Sequence, residues 1–139
     1  MTTRLIPLFA AAALFACGCT TVLKSKEFGD VKVDGGATPV AAVEIENSVW
    51  LLFNFIPLAS GSPAHPNSNK CKLFRNTVNL SNNMDVLKAE MASEGVTKVT
   101  NLTSHYTDEK YFFFLLARRA CHTSAILVKS GANDQGPSK

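Results

Sequence analysis

The stretch VTKVTNLTSHYTDEKYFFFLLARRACHTSAILVK, residues 96–129, decides the fold. Residues 96–106 are β-branched and moderately alternating, 107–110 (TDEK) are polar, and 111–129 are rich in aromatic and aliphatic residues that favour strands. The pattern predicts a hairpin turning in TDEK. A usual strand has about five or six residues, so the long second arm is expected to bend or break near Arg118–Thr123. Alternation puts Phe112, Phe114 and Leu116 on one face and Phe113 and Leu115 on the other, making both faces of that arm apolar.

Helix signals lie just upstream. Ser81 or Asn82 can cap, Asp85 falls in the first turn, and Gly95 sits just past the end. Met84, Leu87 and Met91 form an apolar stripe with Val86 and Ala92 at its edges, while Lys88, Glu90 and Glu94 fall outside it as solvated charge. In PVAAVEIENSVWLLFNFIPL (39–58), Val43 and Ile45 alternate with Glu44 and Glu46 before an apolar run from Val49 to Leu58, the pattern of strands buried on both faces. ASGSPAHPNSNK (59–70) reads as a loop and CKLFRNTVNL (71–80) as a short strand or extended approach. The order strand, loop, helix, strand, strand predicts an α+β fold, a small, mainly antiparallel sheet with one helix packed across it. The helix covers one sheet face. The other needs a cover, which makes Trp50, Phe53, Phe55, Phe112, Phe113 and Phe114 the candidate interaction surface.

The N-terminus carries processing information. Arg4 precedes the apolar LIPLFAAAALFA, which ends at Ala16 and reads as an export signal. It is shorter than the roughly 20 apolar residues that a membrane span needs. The following LFACGCTT (14–21) holds Cys17 and Cys19. Leu14-Phe15-Ala16-Cys17 resembles the bacterial lipobox, with Phe15 where a smaller residue is usual. The resemblance implies a signal peptide over 1–16 and a lipid anchor, palmitate or a similar acyl chain, on Cys17, or alternatively on Cys19. It also implies a lipoprotein of the cell envelope, and Gly18 implies an outer-membrane location facing the periplasm. Residues 17–38 then read as the lipidated N-terminus and tether, with a possible short strand at DVKV (30–33). Residues 39–129 form the α+β domain, and the polar tail 130–139 is expected to fray.

From Gly95 onward, GVTKVTNLTSHYTDEKYFFFLLARRACHTSAILVKSG resembles the C-terminal half of the TRL-like small bacterial lipoproteins, and SVWLLFNF loosely matches their apolar segment before the helix. In that family a helix ends at glycine, a short strand with a lysine follows, and a long bent strand closes before another glycine. The loop 59–70 and the two internal cysteines depart from the pattern. The resemblance implies a fold and an envelope location, and no activity.

The net charge of +3 is dispersed, with no basic run beyond Arg118-Arg119, so no nucleic-acid partner is expected. In an oxidising envelope Cys71 and Cys121 could form a disulfide, closing a loop of about fifty residues for roughly 4 kcal/mol. RRACH lacks the second cysteine of a haem-attachment motif, and His65, His105 and His122 lack paired ligand spacing. Cys121 and His122 are adjacent, so on a regular strand they face opposite sides. No nucleophile elbow, phosphate loop or dinucleotide fingerprint occurs, and no cofactor is implied. The expectation is a non-catalytic, membrane-anchored lipoprotein acting through protein–protein contacts with another envelope protein or its own copy. The alternative is a small periplasmic metal-binding protein or hydrolase using those histidines and thiols.

Overall fold

The computed structural model describes residues 19–28, 37–112 and 114–129. The signal segment, Cys17, DVKV, Phe113 and the tail 130–139 lie outside them. In chain order the elements are β1 (Thr20–Ser25), β2 (Thr38–Leu52), β3 (Ile56–Gly61), β4 (Cys71–Leu73), α1 (Leu80–Ser93), β5 (Lys98–Tyr111) and β6 (Leu116–Lys129). The strands form one antiparallel sheet in the order β4-β3-β2-β6-β5, with α1 across one face. This is the α+β architecture expected from the sequence.

The centre is the long pairing of β2 with β6, from Thr38 opposite Lys129 to Leu52 opposite Leu116. Period-two alternation along β2 buries Ala41, Val43, Ile45, Asn47, Val49 and Leu51 on the helix side. One core cluster joins Val43, Ile45 and Leu127 to Val86 and Leu87 of α1, with Met84 and Met91 packed at its edge. A smaller one joins Val49, Leu51, Val78, Ala117 and Cys121.

The helix is capped by Asn79, ahead of the expected Ser81 or Asn82; its side chain accepts the Asn82 N–H at 2.7 Å. At the other end Gly95 has φ +65°, the Val96 N–H reaches Met91 O at 3.0 Å and the Gly95 N–H reaches Ala92 O at 3.2 Å, closing a Schellman motif. Buried Asn83 is the polar member of the core face: its amide donates to Cys121 O at 2.9 Å and Thr123 Oγ1 at 3.1 Å. Glu90 and Glu94 are not simply solvated. Lys24 of β1 pairs with Glu90 and lies 3.5 Å from Glu94, and Lys26 reaches Glu94 at 2.9 Å. The Lys26 hydrogen bond holds the Glu94 carboxyl below its ordinary range.

Three expectations about the strands are corrected. First, Thr20–Ser25, assigned to the tether, is a strand paired with β2 from Thr20 opposite Asn47 to Ser25 opposite Ala42. Residues 26–37 therefore connect two strands of one sheet. Second, TDEK is not the hairpin turn. Asp108 faces Arg119 and Glu109 faces Arg118 inside the β5–β6 ladder, so opposite charges pair across the strands and push the turn on to 112–115. Third, the second arm does not break at Arg118–Thr123: β6 is continuous, and the apolar run 49–58 instead turns at Phe53–Phe55.

β1 and β3 lie end to end along the same edge of β2. Where they meet, the Ser48 N–H donates to Cys19 O at 2.9 Å, and the Cys19 N–H donates to Ser48 Oγ at 3.1 Å. Thr20 Oγ1 donates to the buried Asn47 Oδ1 at 3.1 Å, and Asn47 Nδ2 donates to Thr77 O at 2.6 Å. Outside β1, the Asn67 side chain behaves like a neighbouring strand, accepting the Val22 N–H at 2.7 Å and donating to Val22 O at 2.9 Å. Gly61 closes the junction because a Cβ there would stand 2.3 Å from Thr20 N. In Gly61→Ala, hydrogen exchange should show β1 amides losing protection while β6 keeps its own; unchanged β1 protection would contradict this junction.

Candidate functional site

The aromatic residues gather at the end of the sheet, on its turns. Phe53 and Asn54 have φ of +51° and +67°, and the Phe55 N–H reaches Leu52 O at 3.3 Å, a tight hairpin turn with two successive left-handed residues. Such turns favour Asn-Gly, yet the first position here is phenylalanine. The β5–β6 turn has Phe112 at φ +50° and a bond from the Leu115 N–H to Phe112 O at 3.2 Å. A bond of 2.9 Å from the Phe53 N–H to Leu115 O locks the two turns together. Beyond β4, Phe74 has φ +53° and donates its N–H to Leu58 O at 3.1 Å, at this same end. Phe53, Phe74 and Phe112 thus occupy the left-handed region, which costs an L residue roughly 1–2 kcal/mol.

Their rings face outward. Phe55, Phe74, Phe112 and Phe114 are 70–77% exposed, with Phe53, Leu73, Ile56 and Leu115 exposed among them. Phe53 and Phe55 stack at 6.5 Å. Trp50, half-buried on the sheet face away from α1, marks the inner border, with its ring 5.4 Å from Tyr111. That face is polar behind the border: Arg118 bridges Glu46 and Glu109, while Arg119, on the opposite face, bonds Asp108 at 2.7 Å. The Tyr111 hydroxyl donates to Glu109 at 2.8 Å, which raises the tyrosine pKa and, with Arg118 adding to it, holds the Glu109 carboxyl low. The expectation of an apolar second face is thereby corrected, since Phe112, Phe114 and Leu115 lie at a turn.

Of the expected surface, Phe53, Phe55, Phe112 and Phe114 come together, Trp50 borders them, and Phe113 lies outside the described residues. Phe74 was missed. Its signal is an aromatic-basic pair, Phe74-Arg75, directly before the turn-favouring Asn76.

The structure does not bring Cys71 and Cys121 together. Cys71 faces Gly61 on β4, and β3 and β2 lie between it and β6. Three strand spacings of about 4.8 Å separate them by roughly 14 Å, beyond the 7 Å limit between bridged Cα atoms. Cys121 is buried opposite Tyr106, whose hydroxyl accepts the Leu80 N–H at 3.1 Å; burial and then the neighbouring Cys121 push the Tyr106 pKa up. His105 and His122 do meet, their rings stacked at 4.9 Å and 10° apart, with Glu46 Oε2 4.0 Å from His122 Nδ1. Parallel rings aim their nitrogen lone pairs along parallel lines rather than at one ion about 2 Å away. His65 lies in the loop before β4, and no group of three or more His, Cys, Asp or Glu is arranged for a metal among the described residues.

Comparison with protein-family models, curated proteins and solved structures gives no match.

Asparagine tolerates the left-handed region that phenylalanine does not. Phe74→Asn and Phe112→Asn should each raise the free energy of unfolding, by about 0.5–1 kcal/mol in denaturant titrations. A loss of stability would mean that the rings serve folding rather than contact.

Proposed function

We propose that the chain is a non-catalytic, lipid-anchored protein of the bacterial envelope that works through protein–protein contacts. Acyl chains on Cys17, or in the alternative on Cys19, hold it on the membrane, with the outer membrane facing the periplasm as its place. The LFAC segment supports the anchor. The observation that carries the contact role is the aromatic end, where exposed phenylalanines occupy turn positions that asparagine or glycine would fill at less cost to folding. An outlier of this kind, with its ring in solvent, points to selection for contact. Trp50 and the polar face behind it extend the area available to another envelope protein or a second copy.

The metal-binding or hydrolytic alternative gains a stacked histidine pair and no third ligand among the described residues. Intact-mass analysis of membrane-extracted protein, after growth with labelled fatty acid, tests the anchor. The label should vanish in Cys17→Ser and persist in Cys19→Ser. The reverse pattern would move the anchor to Cys19, and an unlabelled wild-type chain would remove it.

A further inference from the structure

We propose that the aromatic end inserts into an anionic lipid surface, that of the membrane to which the chain is anchored. The proposal rests on the reading above for the position of the anchor and goes beyond it by giving the aromatic end to lipid instead of a protein partner. It leaves the face around Trp50, Arg118 and His122 for the protein partner.

Charge chooses the occupant. Residues 52–58, 73–75, 110–112 and 114–116 build this end, and the charged side chains in them are Arg75 and Lys110, with no acid. Neither cation makes an ion pair among the described residues. The nearest acid along β5, Glu109, is held by Tyr111 and Arg118. Aromatic rings flanked by uncompensated cations suit a headgroup layer containing anionic lipid. A second copy docked end to end would set Arg75 and Lys110 against their like.

The anchor lies close enough to act on the same bilayer. Cys19 is bonded to Ser48, and at about 3.3 Å per residue Phe53 is roughly 16 Å further along β2. β1 runs away from the aromatic end, since Thr20 faces Asn47 and Ser25 faces Ala42. The chain therefore joins the sheet at the β1 end nearer the aromatic residues. Cys17 is two residues before Cys19, a reach of at most about 7 Å. Acyl chains and rings can thus occupy one leaflet.

The sequence has a single tryptophan, Trp50, so a reporter can be moved. The full chain carrying Trp50→Phe with Phe55→Trp, Phe114→Trp or, as a distant control, Leu102→Trp is placed in vesicles of phosphatidylcholine and phosphatidylglycerol in equal amounts, with or without brominated acyl chains. Thermal unfolding establishes that each variant folds. Phe55→Trp and Phe114→Trp should lose more than half their emission to the brominated lipid, with Leu102→Trp unaffected. Vesicle-bound protein with both end reporters unquenched would overturn the proposal, as would a blue shift that rises with protein concentration without vesicles, which would place a second copy there. Failure of fatty-acid labelling strikes the anchor, whereas failure of quenching strikes only the insertion.

Discussion

Two strands share one edge of β2, and most of the structure depends on how their meeting point is satisfied. Laying β1 and β3 end to end leaves backbone groups that neither strand can pair, beside the buried Thr20, Asn47, Ser48 and Gly61. Ser48 Oγ accepts the Cys19 N–H, Asn47 Oδ1 accepts the Thr20 hydroxyl from the opposite face, and Asn67 meets the backbone groups of Val22 from outside. The same Asn47 amide holds Thr77 O, which also accepts from the Asn82 side chain at 2.6 Å and the Asn79 N–H at 3.1 Å. One buried amide therefore sets both where β1 begins and how the chain approaches α1. Leaving such groups unpaired costs about 1–3 kcal/mol each, a large share of a small domain's stability.

A second constraint acts at the opposite side of the sheet. Individually, the pairs Asp108–Arg119 and Glu109–Arg118 are worth little, about 0–1 kcal/mol when exposed. Their importance lies in register: β6 is already fixed by β2, and a slip of one residue in β5 would turn Tyr106 and Asp108 to the opposite face of the sheet. With the register fixed, the ladder ends at Tyr111 opposite Leu116, and Phe112, Phe114 and Leu115 fall in the turn. The cross-strand bond to Phe53 then gathers the rings of two turns into one surface.

Local patterns were legible in the sequence. Val43 and Ile45 alternating with glutamates, the stripe of Met84, Leu87 and Met91, and Gly95 after the helix gave the strands, the helix and its stop. Features set by distant partners were not. TTVLKS has little apolar content and becomes a strand because β2 offers a free edge and Lys24 meets Glu90. TDEK resembles a turn until Arg118 and Arg119 are placed across from it. Pairing Cys71 with Cys121 required the strand order, which no spacing in the chain reveals. The contact residues were legible by type, but their position on turns was not, because phenylalanine carries no turn signal.

On the proposed reading these constraints meet at the membrane. Among the described residues the first strand begins at Thr20, three residues after Cys17. A lipid on Cys17 would hold the domain directly against the headgroups, with the aromatic end turned to the same surface. Neutron reflectometry of the anchored protein on a supported bilayer measures this arrangement most directly. Protein density should begin at the headgroup layer, with no solvent layer between. A hydrated gap separating the bilayer from the domain would contradict it.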